Sequence, residues 1–458
     1  MIVPTLSHLD TLRDPEQMRE IFQRYLLSDT NPAVVIDSCA VDFVRQASNR
    51  SLFQYTLHLR EPGTGSLRRQ VVTGVTYDAD RGRRILGRVR QSDPGVMMPV
   101  GPALPAVAYV PELQLLVQVF PYDHRLPALA QILKEPPPEL ASVLLGEFGA
   151  GDWRIETWEA ETLRYRVDMR AMVRLDMQAR EAVGGRAAER RVYAKIYRDA
   201  EEGERASAMQ RALWERTSAS GAEFAVARPV AYLDELRTLL LDEVTGIRFL
   251  NIIRREDETL LVVRRVARAV AALHRLPVDD VFASRGRPPR DELARLETAA
   301  ERLQTAAPEL RHAVAEIASV IAASFADVPT APTHFDLKPA HIMLDGDHVS
   351  LLDFDKLVAA DPMVDVTALL THFRKERRKR LRRHGRMDPT ARVFAEEYFA
   401  HVPAAWYGRF PACQAMALLL EAAWPPAGLR GRDGKADTLD RIPALVREAH
   451  EVAMGNLL

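Results

Sequence analysis

The chain has 458 residues, more than one ordinary compact domain holds and consistent with two or three. Hydrophobic residues make up 47% and charged residues 27%, with a formal net charge of -1. That profile excludes a disordered chain and leaves no global field drawing it to nucleic acid or a membrane. Two distant cysteines, Cys39 and Cys413, exclude a disulfide framework and fit a reducing cytoplasm. The first residues show no basic region followed by an apolar run, so a secretory signal is not expected. No window approaches about 18 uncharged apolar residues, so neither is a membrane span.

Residues 1–35 carry helical spacing. From Phe53, apolar Phe53, Tyr55, Leu57 and Leu59 alternate with Gln54, Thr56, His58 and Arg60, the period of a half-buried strand. Glu61–Gly65 reads as a turn, and a second strand around Gln70–Tyr77 completes a hairpin. Proline and glycine dominate Asp93–Pro111. Strand-like Leu113–Phe120 and a helical stretch near Leu126–Leu133 follow, and Pro136-Pro137-Pro138 punctuates the chain.

The hairpin pattern then returns, with Ala171, Val173, Leu175 and Met177 alternating with polar partners and Arg191–Tyr197 as the return strand. Laid on the first hairpin, Lys195 falls on Gly74, which suggests a degenerate internal repeat. Hairpins alternate alike, so a chance likeness fits as well. Val262, Val263, Val266, Val270 and Leu273 then recur at helical spacing. A second helical region runs from Asp291 to about Ala326, a β-rich island covers His341–Phe354, and helices resume from Val364. A strand-rich first part followed by a helical part predicts an α+β chain of two lobes with an extra N-terminal unit, divided at 1–150, 151–245 and 246–458.

The chemistry concentrates in Thr333-His334-Phe335-Asp336-Leu337-Lys338-Pro339-Ala340-His341-Ile342-Met343-Leu344-Asp345, followed by Leu351-Leu352-Asp353-Phe354-Asp355. A hairpin over Ile342–Leu352 would hold Asp336, His341 and Asp353 at one end of two short strands. Two carboxylates and an imidazole there could bind a divalent cation and position a hydroxyl, the parts that phosphoryl transfer needs.

His334-x-Asp336-x-x-Pro339, the Asp353-Phe354-Asp355 strand end and Asp361-Pro362-Met363-Val364-Asp365 together resemble the aminoglycoside phosphotransferase and choline kinase group. The resemblance implies a protein-kinase-like fold, ATP with Mg²⁺, and a small-molecule acceptor. It implies Asp336 as catalytic base, Asp353 as metal ligand, His334 as a buttress of the catalytic loop and Asp365 as a structural brace. Where the family carries Asn, this chain has His341, a softer ligand that suits Mg²⁺ less well and admits Mn²⁺ or a single metal. Lys338 could touch the γ-phosphate or an anionic acceptor.

Upstream, Lys195 in an apolar strand is the candidate for the α- and β-phosphates, with Glu204 and Glu215 as alternatives for its carboxylate partner. Leu239–Gly246 resembles the family's hinge, with backbone groups near Asp242 and Val244 for adenine. No glycine-rich loop exists. Arg166-Val167-Asp168-Met169-Arg170 occupies its hairpin, and Arg166 or Arg170 could meet phosphate oxygens.

Arg374–Arg383 is strongly cationic. It reads first as a solvated helix face and second as a site for an anionic acceptor, nucleic acid or membrane surface. Without interleaved aromatics, base stacking is not suggested. His274, His348 and His372 read as structural. Besides a small-molecule kinase, the sequence admits a pseudokinase or nucleotide sensor, a binding protein using the basic run, and a sugar kinase of the maltokinase type.

Overall fold

The computed structural model describes all residues except 1–5, 28–33, 48–49, 61–64, 78, 93–98, 101–103, 219–220, 254–258, 284–288, 326–327, 382–388, 425–440 and 456–458. The chain separates into two compact units, residues 1–205 with 230–242 and residues 206–229 with 243–458. The fold is α+β, with antiparallel sheets in the first unit and mostly helices in the second.

The first unit is built twice on one plan. Helices α1 (Leu6–Arg13) and α2 (Pro15–Phe22) precede strands β1 (Val35–Ala47), β2 (Arg50–Arg60) and β3 (Leu67–Thr76). Helix α3 (Ala79–Ser92) follows, then β4 (Val107–Val110) and β5 (Leu115–Val119). The second passage repeats the order with α4 (Pro127–Lys134), α5 (Pro138–Gly146), β6 (Trp153–Arg166), β7 (Arg170–Glu181), β8 (Ala187–Tyr197), α6 (Ala200–Thr217), β9 (Pro229–Leu233) and β10 (Thr238–Asp242). Helix α6 continues into the second unit. The sheet orders are β1-β2-β3-β5-β4 and β6-β7-β8-β10-β9, so both read first, second, third, fifth, fourth.

Burial follows the period-two pattern. Phe53, Tyr55, Leu57 and Val72 face Leu12, Met18 and Phe22 of the preceding helices, whereas Leu52, Val75 and Tyr77 face Ile85 of α3. In the second sheet Val173, Leu175, Val192, Ala194 and Ile196 pack with Leu129, Ile132 and Leu140 of α4 and α5. Each such large side chain taken from water stabilises by about 1.5–3 kcal/mol.

The strand pairing corrects one detail of the repeat. Gln114 and Arg237 are both left-handed turn residues, at φ 49 and φ 47. Their carbonyls accept the N–H of Tyr77 at 3.1 Å and of Tyr197 at 2.9 Å. Counting back from those tyrosines, Lys195, opposite Leu239, corresponds to Val75, opposite Leu116, and not to Gly74. A shift of one residue turns a side chain to the other sheet face, so this choice decides which face Lys195 occupies.

Among the elements that escaped the sequence pattern, two have a plain physical reason. Strand β6 lies at a sheet edge with many charged residues facing water, which dilutes its alternation. Helix α3 carries Arg81, Arg83, Arg84, Arg88 and Arg90 and so few apolar residues that its period is faint.

In the second unit, Ile342–Asp345 pairs antiparallel with His348–Leu351, and this hairpin is flanked by Ala225–Val226 and Ile247–Arg248. The remainder is helical: α7 (Thr259–Arg275), α8 (Pro289–Ala306), α9 (Arg311–Ala323), α10 (Met363–Leu381), α11 (Pro389–Phe399), α12 (Phe410–Ala423) and α13 (Ile442–Ala453). One core gathers α7, α10 and α11 around the β island, with Val266, Val270, Ile342, Leu351, Phe373 and Phe394 at its centre. A second joins α8, α9, α12 and α13. Among the described residues no helix is long and apolar enough to cross a membrane.

Gly246 enters the flanking strand at φ 116, and a Cβ there would stand 2.3 Å from the Leu344 carbonyl oxygen. Gly246→Ala is expected to destabilise the protein by about 2 kcal/mol, combining an unfavourable φ with displacement of that edge strand. Urea unfolding with an unchanged m-value would register it, and an unchanged midpoint would refute it.

Candidate active site

The β island positions the motif. Strand Ala331–Thr333 pairs with Val358–Ala360, which places the segment leaving Thr333 beside the segment arriving at Val358. Between them the Leu352 N–H donates to the His341 carbonyl at 2.9 Å, extending the hairpin ladder and fixing Asp353 beside His341. Phe335 and Asp353 both sit in the left-handed region, at φ 63 and φ 69, a conformation that side chains adopt only under compulsion.

At Phe335 the compulsion comes from Asp365 in the first turn of α10. Its carboxylate, fully buried, accepts the His334 N–H at 2.6 Å and the Phe335 N–H at 2.9 Å. His274 Nε2 lies 3.1 Å from the same carboxylate, and Tyr398 Oη lies 2.8 Å from His274 Nδ1. A carboxylate only accepts, so Nε2–H donates to Asp365 and Tyr398 O–H donates to Nδ1. The His334 Nε2–H in turn donates to the Leu352 carbonyl at 2.9 Å, tying the motif's two loops together. His334 is thus held at its backbone by Asp365 and at its ring by Leu352, and His274 joins Asp365 to Tyr398.

Asp336, His341 and Asp353 converge, each offering a ligand atom within 4.8 Å of the others. His341 Nε2 is 3.4 Å from Asp353 Oδ2. Burial pushes the His341 imidazole down to about 3, so it is neutral near pH 7. Its Nδ1 is buried with no hydrogen-bond partner among the described residues, as a donor site awaiting a guest would be. Two carboxylates and one imidazole fit a divalent cation, and the nitrogen favours Mn²⁺ over Mg²⁺.

Lys338 Nζ lies 3.3 Å from Asp336 Oδ2, and Lys356 Nζ 3.4 Å from Oδ1. Burial pushes the Asp336 carboxyl up, but Lys356 and Lys338 outweigh it and hold the group below its ordinary range. Lys356 was not legible beforehand, because a lysine three residues past Asp353 looks like any loop cation.

The upstream candidates lie in the first unit, except Val244 and Glu215. Lys195 is buried at 7% exposure in β8, between Met172 and Leu239 and on the face opposite Val192, Ala194 and Ile196. Arg170 opens β7, opposite Tyr197. Asp242 ends β10 opposite Val192, and its Oδ1 accepts from Arg190 Nη2 at 2.7 Å. Val244 follows the break between the two units at 242/243. Glu204 and Glu215 are both exposed. In the basic run, Arg374 pairs with Glu448 at 3.1 Å, and the side chains beyond Glu376 lie outside the described residues.

The helical unit also encloses a cavity of about 710 Å³ between α8, α10 and α12. Phe325, Met416, Leu420 and Trp424 supply apolar wall, and Asp361, His372 and Lys375 supply polar wall. Burial pushes the His372 imidazole down to about 4, helped by the charges of Lys375 and Lys338, while Asp336 pulls the other way.

Comparison with known proteins agrees with the motif. Residues 180–398 match the model of the phosphotransferase enzyme family, and this stretch is that of a small-molecule kinase. No curated protein matches the chain. Among solved structures it is similar to the ADP-bound aminoglycoside phosphotransferase APH(2'')-Ib, with 12% identity, a TM-score of 0.43, and coverage of 68% of this chain and 99% of that one. A choline/ethanolamine kinase family protein from Mesorhizobium loti gives 14%, 0.41, 65% and 92%. An ethanolamine kinase from Plasmodium vivax gives 10%, 0.40, 64% and 85%. Likeness at this level transfers neither substrate nor mechanism.

Asp365→Ala would strand buried donors of His334, Phe335 and His274. The expected loss is about 3–5 kcal/mol in chemical denaturation, and a loss below about 1 kcal/mol would show that the loop holds itself. Lys356→Met removes the larger of the two attractions that keep Asp336 ionised. The Asp336 pKa should rise, seen by carbon NMR titration of the carboxyl, and a fixed value would contradict the placement.

Proposed function

We propose that the chain transfers the γ-phosphoryl group of ATP to a hydroxyl of a small molecule. The observation that carries this reading is the convergence of Asp336, His341 and Asp353, with Lys338 and Lys356 on Asp336. Asp336 orients the acceptor hydroxyl and takes its proton, a role that needs a carboxylate ionised at neutral pH, as its two lysines ensure. Asp353 and His341 would hold the cation, which when bound supplies charge neutralisation to the phosphates. Lys338 stands where charge develops on the transferred group, and His334 keeps the loop in place.

Upstream, Lys195 takes the α- and β-phosphates, Arg170 a phosphate oxygen, and the backbone at Asp242 and Val244 the adenine edge. On this reading residues 151–245 bind nucleotide, residues 246–458 bring the acceptor and the catalytic loop, and residues 1–150 are a cap. The cavity of about 710 Å³ suits a drug-sized acceptor.

Position 341 favours a second reading, a nucleotide sensor without turnover, because His replaces the family's Asn. Calorimetry of ATP with Mg²⁺ or Mn²⁺ separates the cases. Asp353→Ala is expected to abolish metal-dependent ATP binding. Asp336→Asn should keep binding and lose transfer by about 10²–10⁴-fold. No binding by the native protein with either metal would sink the kinase reading, and binding without transfer to any acceptor screened would favour the sensor. His341→Asn is expected to move the preference from Mn²⁺ toward Mg²⁺, and unchanged selectivity would remove His341 from the metal set.

A further inference from the structure

The β6–β7 turn occupies the place where kinase-fold enzymes lay a glycine-rich loop over the phosphates, yet its tip is not open. Val167 is 3% exposed and packs among Leu52, Val75, Tyr77, Ile85 and Leu116 of the first sheet and its helix. Asp168, at φ 63, is fully buried, and its Oδ2 accepts from Arg50 Nη1 of β2 at 2.6 Å. Arg125 Nε stands 3.7 Å from the other oxygen. The Asp168 N–H, which an open loop would offer to phosphate, donates to Asp123 Oδ2 at 2.9 Å, and Tyr165 O–H donates to the same oxygen at 2.9 Å. Arg45 Nη1 meets the Met169 sulfur at 2.7 Å. Every one of these groups lies in the first unit.

We propose that the first sheet is a built-in clamp for the nucleotide-covering hairpin, with Arg50 and Asp168 as positioning residues that hold the β6–β7 turn in its nucleotide-competent place. Glycine-rich loops gain their order from bound phosphate, and the ordering weakens apparent affinity by the fraction of molecules not yet competent. Here the order is supplied beforehand by Arg50. Burial, with Asp123 behind it, pushes the Asp168 carboxyl up to about 6, against the pull of Arg50 and Arg125. The carboxylate's buried position therefore depends on those cations. Without Arg50, compensation of the buried charge falls to Arg125 alone at 3.7 Å, and the turn is held to the sheet less firmly. This inference rests on the nucleotide reading of the second sheet for its functional half and on geometry alone for the clamp.

The test compares full-length native protein, Arg50→Ala and the double variant Arg50→Ala/Asp168→Asn. Asn removes the charge and tolerates the left-handed turn. Hydrogen exchange of residues 166–170 without nucleotide should accelerate at least about tenfold in Arg50→Ala, with both sheets still protected, and return in the double variant. The Kd for ATP with Mn²⁺ should weaken about tenfold in Arg50→Ala and recover to within about threefold in the double variant. A merely structural pair would lower the unfolding midpoint and leave the Kd unmoved. Unchanged exchange in Arg50→Ala overturns the clamp. Faster exchange with an unchanged Kd overturns its role in nucleotide binding. ATP binding absent from the native protein is the separate failure of the kinase reading, and it overturns that role as well.

Discussion

A single buried carboxylate holds the catalytic region together. Asp365 accepts two consecutive backbone N–H groups, those of His334 and Phe335, and a third hydrogen bond from His274. Those bonds force Phe335 into a left-handed conformation and so set the direction in which Asp336 leaves the loop. His334, fixed at its backbone, grips Leu352 and thereby aligns the loop that carries Asp353. A buried carboxylate is costly unless its hydrogen bonds are made, and here the protein makes them with the atoms it must position. Structure and site preorganisation are the same set of bonds.

The site that results is electrostatically graded. Asp336 lies between two lysines and stays ionised, whereas His341 is desolvated and stays neutral. One ionised and one neutral group are thereby set within a few ångströms of each other. At position 341 this chain carries an imidazole, and on the proposed reading a cation there would meet nitrogen beside the carboxylate oxygens.

The first unit repeats one sheet plan with different side chains at matching positions. Both copies keep two leading helices, three meandering strands, a helix and two more strands. The position of Lys195 is filled by Val75 in the first copy, and Val75 packs beneath Val167, the tip of the second copy's first hairpin. A strand position that in one copy carries a cation became in the other a piece of core.

Much of this was legible in the residues alone. The convergence of Asp336, His341 and Asp353 was legible because their spacing places them at one end of a short hairpin. The clean alternation at Phe53–Arg60 and Ala171–Gln178 marked strands because one face of each sheet is buried. Edge strand β6 and arginine-rich α3 were not legible, since neither buries a regular stripe. Only tertiary structure brought Lys356 onto Asp336 and chose Val75 over Gly74 as the counterpart of Lys195, because strand register is decided by partners distant in the chain. It alone placed Arg50 against Asp168, 118 positions away. Sequence determines which side chains can do chemistry and the local period that carries them. Which of them meet is decided by packing, which buries a charge only where another part of the chain can answer it.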